Sequence, residues 1–433
     1  MSDVEEVAAG RGTPRIPRKF LITYSLASFG LWMATIPPMI VSLPLKTDAI
    51  DPDPKTQGIT LSIVLGVGAV FGILANPVFG RISDRTTWRF GMRRPWLLTG
   101  AILSATGAVT VGVSGNLAAV TAGWAVNQIG LNATLAVLLA LIPDQVPTQR
   151  RGAVSGLIGL TQAIAAMAGV GLVSGLSEVS SAAALVVPSA LALVLVTVAA
   201  LTLDDRRLAP ADRPPFDLGE FVRSFWVDPR RFPDFGWAWI SRFAMFMAIS
   251  LVLNYQVFYL TSHLGYTKHE ATSLIPAAVG VQTVLTILAS VTLGPLSDRL
   301  TRRKVFVLGS ALVAGAGTAV LALAPPRTSS FPLFLLAMAL VGLGQGAYFA
   351  VDLALVADVL PNKDKDAAKD LGVLGMANLI PQSIAPAVAP VFLAIPLLSL
   401  TGLSGQNYTA LYLAGVLFAA LSAATILPIR SVR

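Results

Sequence analysis

The chain has 433 residues, 55% hydrophobic and only 12% charged, with a mean hydropathy of +0.72. A soluble domain is about a quarter charged, so disorder and an ordinary soluble fold are excluded, and with Cys 0 so are a disulfide framework, a thiolate nucleophile and a cysteine metal site. The net charge of +8 invites a nucleic-acid reading, but the placement of that charge assigns it to topology.

A helix needs about 20 mostly apolar residues to cross the hydrocarbon core. Twelve such runs lie near 20–43, 58–80, 96–114, 117–142, 152–174, 182–203, 236–260, 270–293, 305–324, 332–358, 370–394 and 408–428. The first is too long for a cleaved leader, and it follows a polar, basic tail. The alternating segments of a membrane barrel are absent. The expected fold class is therefore all-α integral membrane. If the N-terminus is cytoplasmic, 26 Lys and Arg fall on the inside against four outside, Lys46, Lys55, Lys268 and Arg327. The positive-inside rule then puts both termini in the cytoplasm of a multi-pass cell-membrane protein. It leaves no role for nucleic acid and makes anionic lipid the partner of the basic loops.

An internal repeat divides the chain. GRISDR at 80–85 returns as GPLSDR at 294–299, and LALIPDQVP at 139–147 as LALVADVLP at 353–361, both shifted by 214 residues. The division expected is a tail 1–19, a six-helix bundle 20–203, a charged connector 204–235, a second six-helix bundle 236–428 and a tail 429–433. An even number of spans per half makes the halves parallel repeats that rock about a central cavity.

Twelve spans in two halves, with G-x-x-x-D-R after span 2 and again after span 8, resemble the major facilitator superfamily. The longer loop GRISDRTTWRFGMRRPW at 80–96 looks more like the sucrose and glycoside–pentoside–hexuronide cation symporter branch. The resemblance implies two pseudo-symmetric bundles, alternating access, a small-molecule solute and no cofactor or catalytic residue. It also implies that Asp84, set among Arg85, Arg89, Arg93 and Arg94, latches onto the start of span 11 near Asp370–Gly372. Asp298, Arg299, Arg302 and Arg303 would mirror that latch against span 5 near Arg151–Gly152. Asp144 and Asp358, which end spans 4 and 10, are either second halves of these latches or solvated loop charges. The chain departs from proton-coupled relatives at Ala125, where an arginine of span 4 is expected.

Ionisable residues inside the membrane are costly and default to function. Arg242 of span 7 and Asp352 of span 10 are the two such candidates. Each lies six residues, about 9 Å, from the cytoplasmic end of its span. A salt bridge between them is expected, either as a static staple or as a site where Asp352 takes a proton or cation. The expected substrate-binding set is amide-rich and aromatic: Trp32, Gln128, Asn132, Asn254, Gln256, Tyr259, Gln345, Tyr348, Asn378 and Gln382. The same residues would also serve interhelical hydrogen bonding. His263 and His269 are expected as solvated loop residues. The function expected is transport of a sugar or glycoside by a monomer, with a proton as coupling ion. The alternative is export of drugs or amphiphilic metabolites.

Overall fold

A computed structural model describes residues 16–53, 56–147, 151–213, 219, 227–300, 302–359, 367–395 and 407–430; some helix side chains, including those of Asp298 and Asp358, lie outside the description. Lipid offers no hydrogen-bond partners to a bare backbone, so apolar segments of this length close their bonds as helices. Among the described residues, twelve helices are long and apolar enough to cross a membrane. They are α1 (Arg18–Ile50), α2 (Gln57–Asp84), α3 (Arg94–Val113), α4 (Leu117–Gln145), α5 (Arg151–Val179) and α6 (Ser181–Thr202), then α7 (Pro233–Asn254), α8 (Lys268–Leu300), α9 (Arg303–Leu323), α10 (Phe331–Val359), α11 (Ala367–Leu393) and α12 (Tyr408–Ile426).

Local chemistry sets several boundaries. Asn116 and Asn407 cap α4 and α12, their side-chain oxygens accepting the amides of Ala119 and Ala410 at 2.9 Å. Proline lacks an N–H and crowds the preceding turn, and α1 answers Pro37–Pro38 with a π-helical turn over Pro38–Ser42. The helix then continues to Ile50. Lys46, expected as an outer-loop residue, is thus buried with Asp48 in its last turns, and Lys46 Nζ donates to the Gly112 carbonyl at 2.9 Å. The span expected at 236–260 is broken: α7 ends at Asn254, a short turn covers Gln256–Phe258, and a π-helical turn follows over Tyr259–His263.

The halves repeat one packing scheme. In the first, α1 packs on α5 and α6, α4 on α2 and α3, and α3 on α6; in the second, α7 packs on α11 and α12, α10 on α8 and α9, and α9 on α12. Gly130 on α4 and Gly344 on α10, again 214 residues apart, mark equivalent crossings. A side chain at the first would collide with Ser104 and Gly100 of α3, and one at the second would lie 2.6 Å from the Ser310 carbonyl of α9. Between halves, α2 packs on α11 and α5 on α8.

The apolar cores are distributed unevenly along the helices. At the end carrying the chain termini, each half has its own cluster, Phe20, Tyr24, Leu97 and Leu141 in one and Met245, Val307, Leu355 and Ile426 in the other. At the far end, one cluster joins Ile40, Leu61 and Leu65 to Leu251, Tyr255 and Leu411. Among the described residues, the halves share a core only there.

Candidate functional site

A cavity lies where the shared core gives way to the separate ones. Leu31, Trp32, Thr35 and Met39 of α1, Leu65, Ala69, Gly72 and Ile73 of α2, and Gln128, Leu131, Asn132 and Leu135 of α4 line it from one half, and Gln382 of α11 from the other. No ionisable residue is among them. Trp32, Gln128, Asn132 and Gln382 of the expected set therefore meet in one place. Gln128 and Asn132, one turn apart on α4, share a face. Opposite them α2 is stripped to glycine: a Cβ on Gly72 would sit 2.6 Å from Asn132 Nδ2.

The other candidates fall outside this lining. Asn254 bonds the Ser250 carbonyl of its own helix. Gln256 is buried at the α7 break. Tyr259 donates to the Leu321 carbonyl at 2.9 Å and stacks on His263 and Phe334. Gln345 accepts from Gln282 Nε2 at 3.0 Å, joining α10 to α8, and Tyr348 is buried one turn before Asp352. His263 is a correction: it is only 7% exposed, its Nε2 lying 3.1 Å from the Ala324 carbonyl.

Arg242 and Asp352 meet. Arg242 Nη1 lies 2.5 Å from Asp352 Oδ2, with both side chains buried, and Arg242 Nε donates to Asn378 Oδ1 at 2.5 Å. The Phe246 ring lies 5.9 Å from the guanidinium. Asn378, expected among the solute-binding residues, instead orients the arginine. Ser241, whose hydroxyl bonds the Ser422 carbonyl at 2.9 Å and so pins α7 to α12 beside the pair, was not foreseen. Serine in a helix carries no signal of its own.

At the termini end Arg93 forks between two acids. Its Nη1 lies 2.5 Å from Asp84 and its Nε 2.9 Å from Asp144, while Nη1 also donates to Ser83 Oγ at 2.6 Å. Burial opposes the charge on Arg93, but hydrogen bonds and attraction from Asp144 and Asp84 outweigh it and hold its pKa above the ordinary arginine value. Asp84, expected to reach for α11, is thus engaged within its own half, and the side chains of its proposed target at 370–372 on α11 lie outside the description. So do the side chains of Asp298 and Asp358; Arg299 and Arg302 are exposed and Arg303 is partly buried. Arg89 lies over the Phe90 ring at 4.7 Å. Arg94 donates to the Leu203 carbonyl through Nη2 at 2.5 Å.

The loop owes its shape to Asp205, a residue hidden in the charged connector. Its Oδ2 accepts the backbone amides of Arg93 and Arg94, each at 2.8 Å, at the N-terminus of α3. Gly91 makes this possible twice over. It adopts φ +105°, and a Cβ there would overlap the Asp205 carboxylate.

The far end is tied by polar links as well as by the shared core. Among the described residues, Gln57 Nε2 donates to Ser262 Oγ at 2.6 Å, and the Ser62 and Tyr255 hydroxyls meet at 2.6 Å. Lys268 pairs with Asp48, and His269 Nδ1 lies 3.4 Å from Glu178 Oε1. Each link crosses from one half to the other.

Two repeated six-helix bundles, sharing a core at one end and bordering a cavity at mid-depth, define a membrane transporter. The chain belongs to the Major Facilitator Superfamily, whose family description matches residues 20–283 and 259–432. It is therefore a transmembrane transporter and not an enzyme. It is 29% identical over 169 residues to a Schizosaccharomyces pombe protein described as uncharacterized MFS-type transporter C18.02, a match covering 39% of this chain and 36% of that protein's length. Solved structures with the same fold include a mutant of the nucleoside transporter NupG, with a TM-score of 0.71 at 13% identity over 95% of this chain and 99% of that one. A bacterial homolog of the human lysosomal transporter Spinster, inward-facing and occupied, has a TM-score of 0.65 at 15% identity over 96% and 97%.

Proposed function

We propose that the chain carries a neutral polyhydroxylated solute, a sugar or glycoside, across the cell membrane by alternating access. The observation that carries this reading is the make-up of the cavity. One aromatic face (Trp32), the amides of Gln128, Asn132 and Gln382 and the hydroxyl of Thr35 stand among aliphatic walls, with no ionisable group among the described lining residues. Amides donate and accept, as hydroxyls require, and an indole stacks on the apolar face of a ring. A charged solute would leave its charge uncompensated there. The loop at 80–96 supports the sucrose and glycoside–pentoside–hexuronide branch, and a nucleoside, the solute named for NupG, is itself a glycoside.

The termini end faces the cytoplasm in this reading, as the 26-to-4 distribution of Lys and Arg supports. The state described is then closed outside. Arg93, Asp84 and Asp144, with Arg85, Arg89 and Arg94, form the gating machinery of the cytoplasmic end. Asp352, released from Arg242 on protonation, couples transport to the proton gradient.

Uptake of radiolabelled sugars, glycosides and nucleosides into proteoliposomes tests the proposal. Saturable uptake of at least one glycoside, lowered at least about tenfold by Trp32→Ala, is expected. Flux of amphiphilic drugs without flux of any glycoside would favour the exporter reading and overturn this one.

A further inference from the structure

A second pocket lies away from the central cavity. At the termini end of α2, Arg81, Ile82, Arg85, Thr86, Thr87, Trp88, Trp96 and Arg213 line an open cleft of about 610 Å³. Arg81 and Arg85 stand one turn apart on the same helix face, and Arg213 reaches the cleft from the connector. None of the described residues lining it is acidic, and the nearby Asp84 is bound to Arg93. The three guanidiniums are close enough to feel one another: slight desolvation, then the charges of Arg213 and Arg81, pushes Arg85 below its ordinary value. Trp96 is fixed in the wall by donating Nε1–H to Thr86 Oγ1 at 2.7 Å. Trp88, packed edge-on against Phe90 at 5.4 Å, stands 55% exposed at the rim.

The apolar side of the cleft continues into the membrane. Val70, Leu74, Val78 and Ile82 recur every four residues along α2, and all are exposed in the protein. They form one ridge over four turns that ends at the arginines. Cationic donors at the membrane border, an indole belt beside them and an apolar track below match the parts of a phospholipid in their order of depth.

We propose that this cleft binds an anionic phospholipid of the leaflet at the termini end, its phosphate held by Arg81, Arg85 and Arg213 and an acyl chain lying along Val70, Leu74, Val78 and Ile82. The apolar track favours a lipid over a free phosphate ion, which would use only the guanidiniums. The planar forks of arginine suit phosphate oxygens.

The test is lipid retention and stabilisation of the purified full chain. In native mass spectrometry the protein is expected to keep phosphatidylglycerol in preference to phosphatidylcholine. In detergent, phosphatidylglycerol is expected to raise the unfolding temperature at mole fractions where phosphatidylcholine does not. Arg213→Gln, on the exposed connector, raises the half-saturating mole fraction about fivefold, and R81Q/R85Q/R213Q raises it about a hundredfold. R230Q/R231Q, which removes two exposed charges elsewhere at the same end, leaves it unchanged. If the triple variant does not fold, Arg213→Gln decides alone. Equal retention of the two lipids, undiminished retention by Arg213→Gln, or a full thermal shift from inorganic phosphate alone would overturn the proposal.

Discussion

Asn378 and Gln382 stand one turn apart on α11, yet they serve different neighbours: Asn378 accepts a hydrogen bond from Arg242 at 2.5 Å, and Gln382 lines the cavity. A single helical turn therefore connects the cavity lining to the buried Arg242–Asp352 pair. In the proposed transport cycle, a shift of α11 on solute binding would move Asn378 and so the arginine it holds.

Breaking that pair separates packing from coupling. Removing one partner of a buried ion pair costs about 3–5 kcal/mol, because the other charge is left uncompensated. Asp352→Asn and Arg242→Gln are each expected to lower thermal stability strongly, whereas R242Q/D352N recovers most of it. Proton-driven accumulation is lost in all three, while solute exchange without a gradient survives in the double variant. Intact pH-dependent uptake by the double variant would reduce the pair to a staple.

Arg93 holds two acids with one planar fork. Arg93→Gln leaves Asp84 and Asp144 without their shared cation and, because these acids are 43% and 27% exposed, is expected to cost about 1–2 kcal/mol. Arg93→Lys recovers little, since an ammonium cannot reproduce the forked geometry. Unfolding temperatures of the three proteins, with initial uptake rates, check this.

Gly72 keeps the cavity wall clear. In Gly72→Ala the new methyl displaces the tip of the Asn132 side chain, which is flexible, so stability changes by less than about 1 kcal/mol. The solute loses a positioned amide instead. KM for the transported glycoside is expected to rise about tenfold with kcat little changed. An unaltered KM would remove Asn132 from the binding site.

The far-end links are individually weak. Lys268 is largely exposed, so its pairing with Asp48 is worth at most about 1 kcal/mol. Lys268→Gln is therefore expected to shift the conformational balance about fivefold, not to lock it. In a Thr35→Cys background, labelling of the cavity by a membrane-impermeant maleimide added from the far side measures this and is expected to speed up by that factor.

The spans, the 214-residue repeat and the Arg242–Asp352 contact were legible in the sequence, for identifiable reasons. Hydropathy registers helix length, an offset shared by two separate motifs registers duplication, and a charge in the membrane demands a partner. The sequence offered ten amide and aromatic candidates, and the structure brings four of them, Trp32, Gln128, Asn132 and Gln382, to one cavity. What stayed hidden depends on who stands opposite. Lys46 reads as a loop cation until the Gly112 carbonyl is placed over its ammonium. Asp205 looks like one charge in a solvated run, yet it shapes the Gly91–Arg94 turn. Asn378 is indistinguishable from Gln382 by residue type, and only three-dimensional placement gives one to Arg242 and the other to the cavity.

The central claim is that the two halves rock about the cavity, and paired distances test it most directly. The chain contains no cysteine, so spin labels at Gly115→Cys and Ser329→Cys report on the far end and those at Ala209→Cys and Leu427→Cys on the termini end. With the glycoside selected by uptake, electron–electron resonance is expected to show populations in which the far-end distance lengthens as the termini-end distance shortens. Distances that change together, or at one end only, would contradict the account.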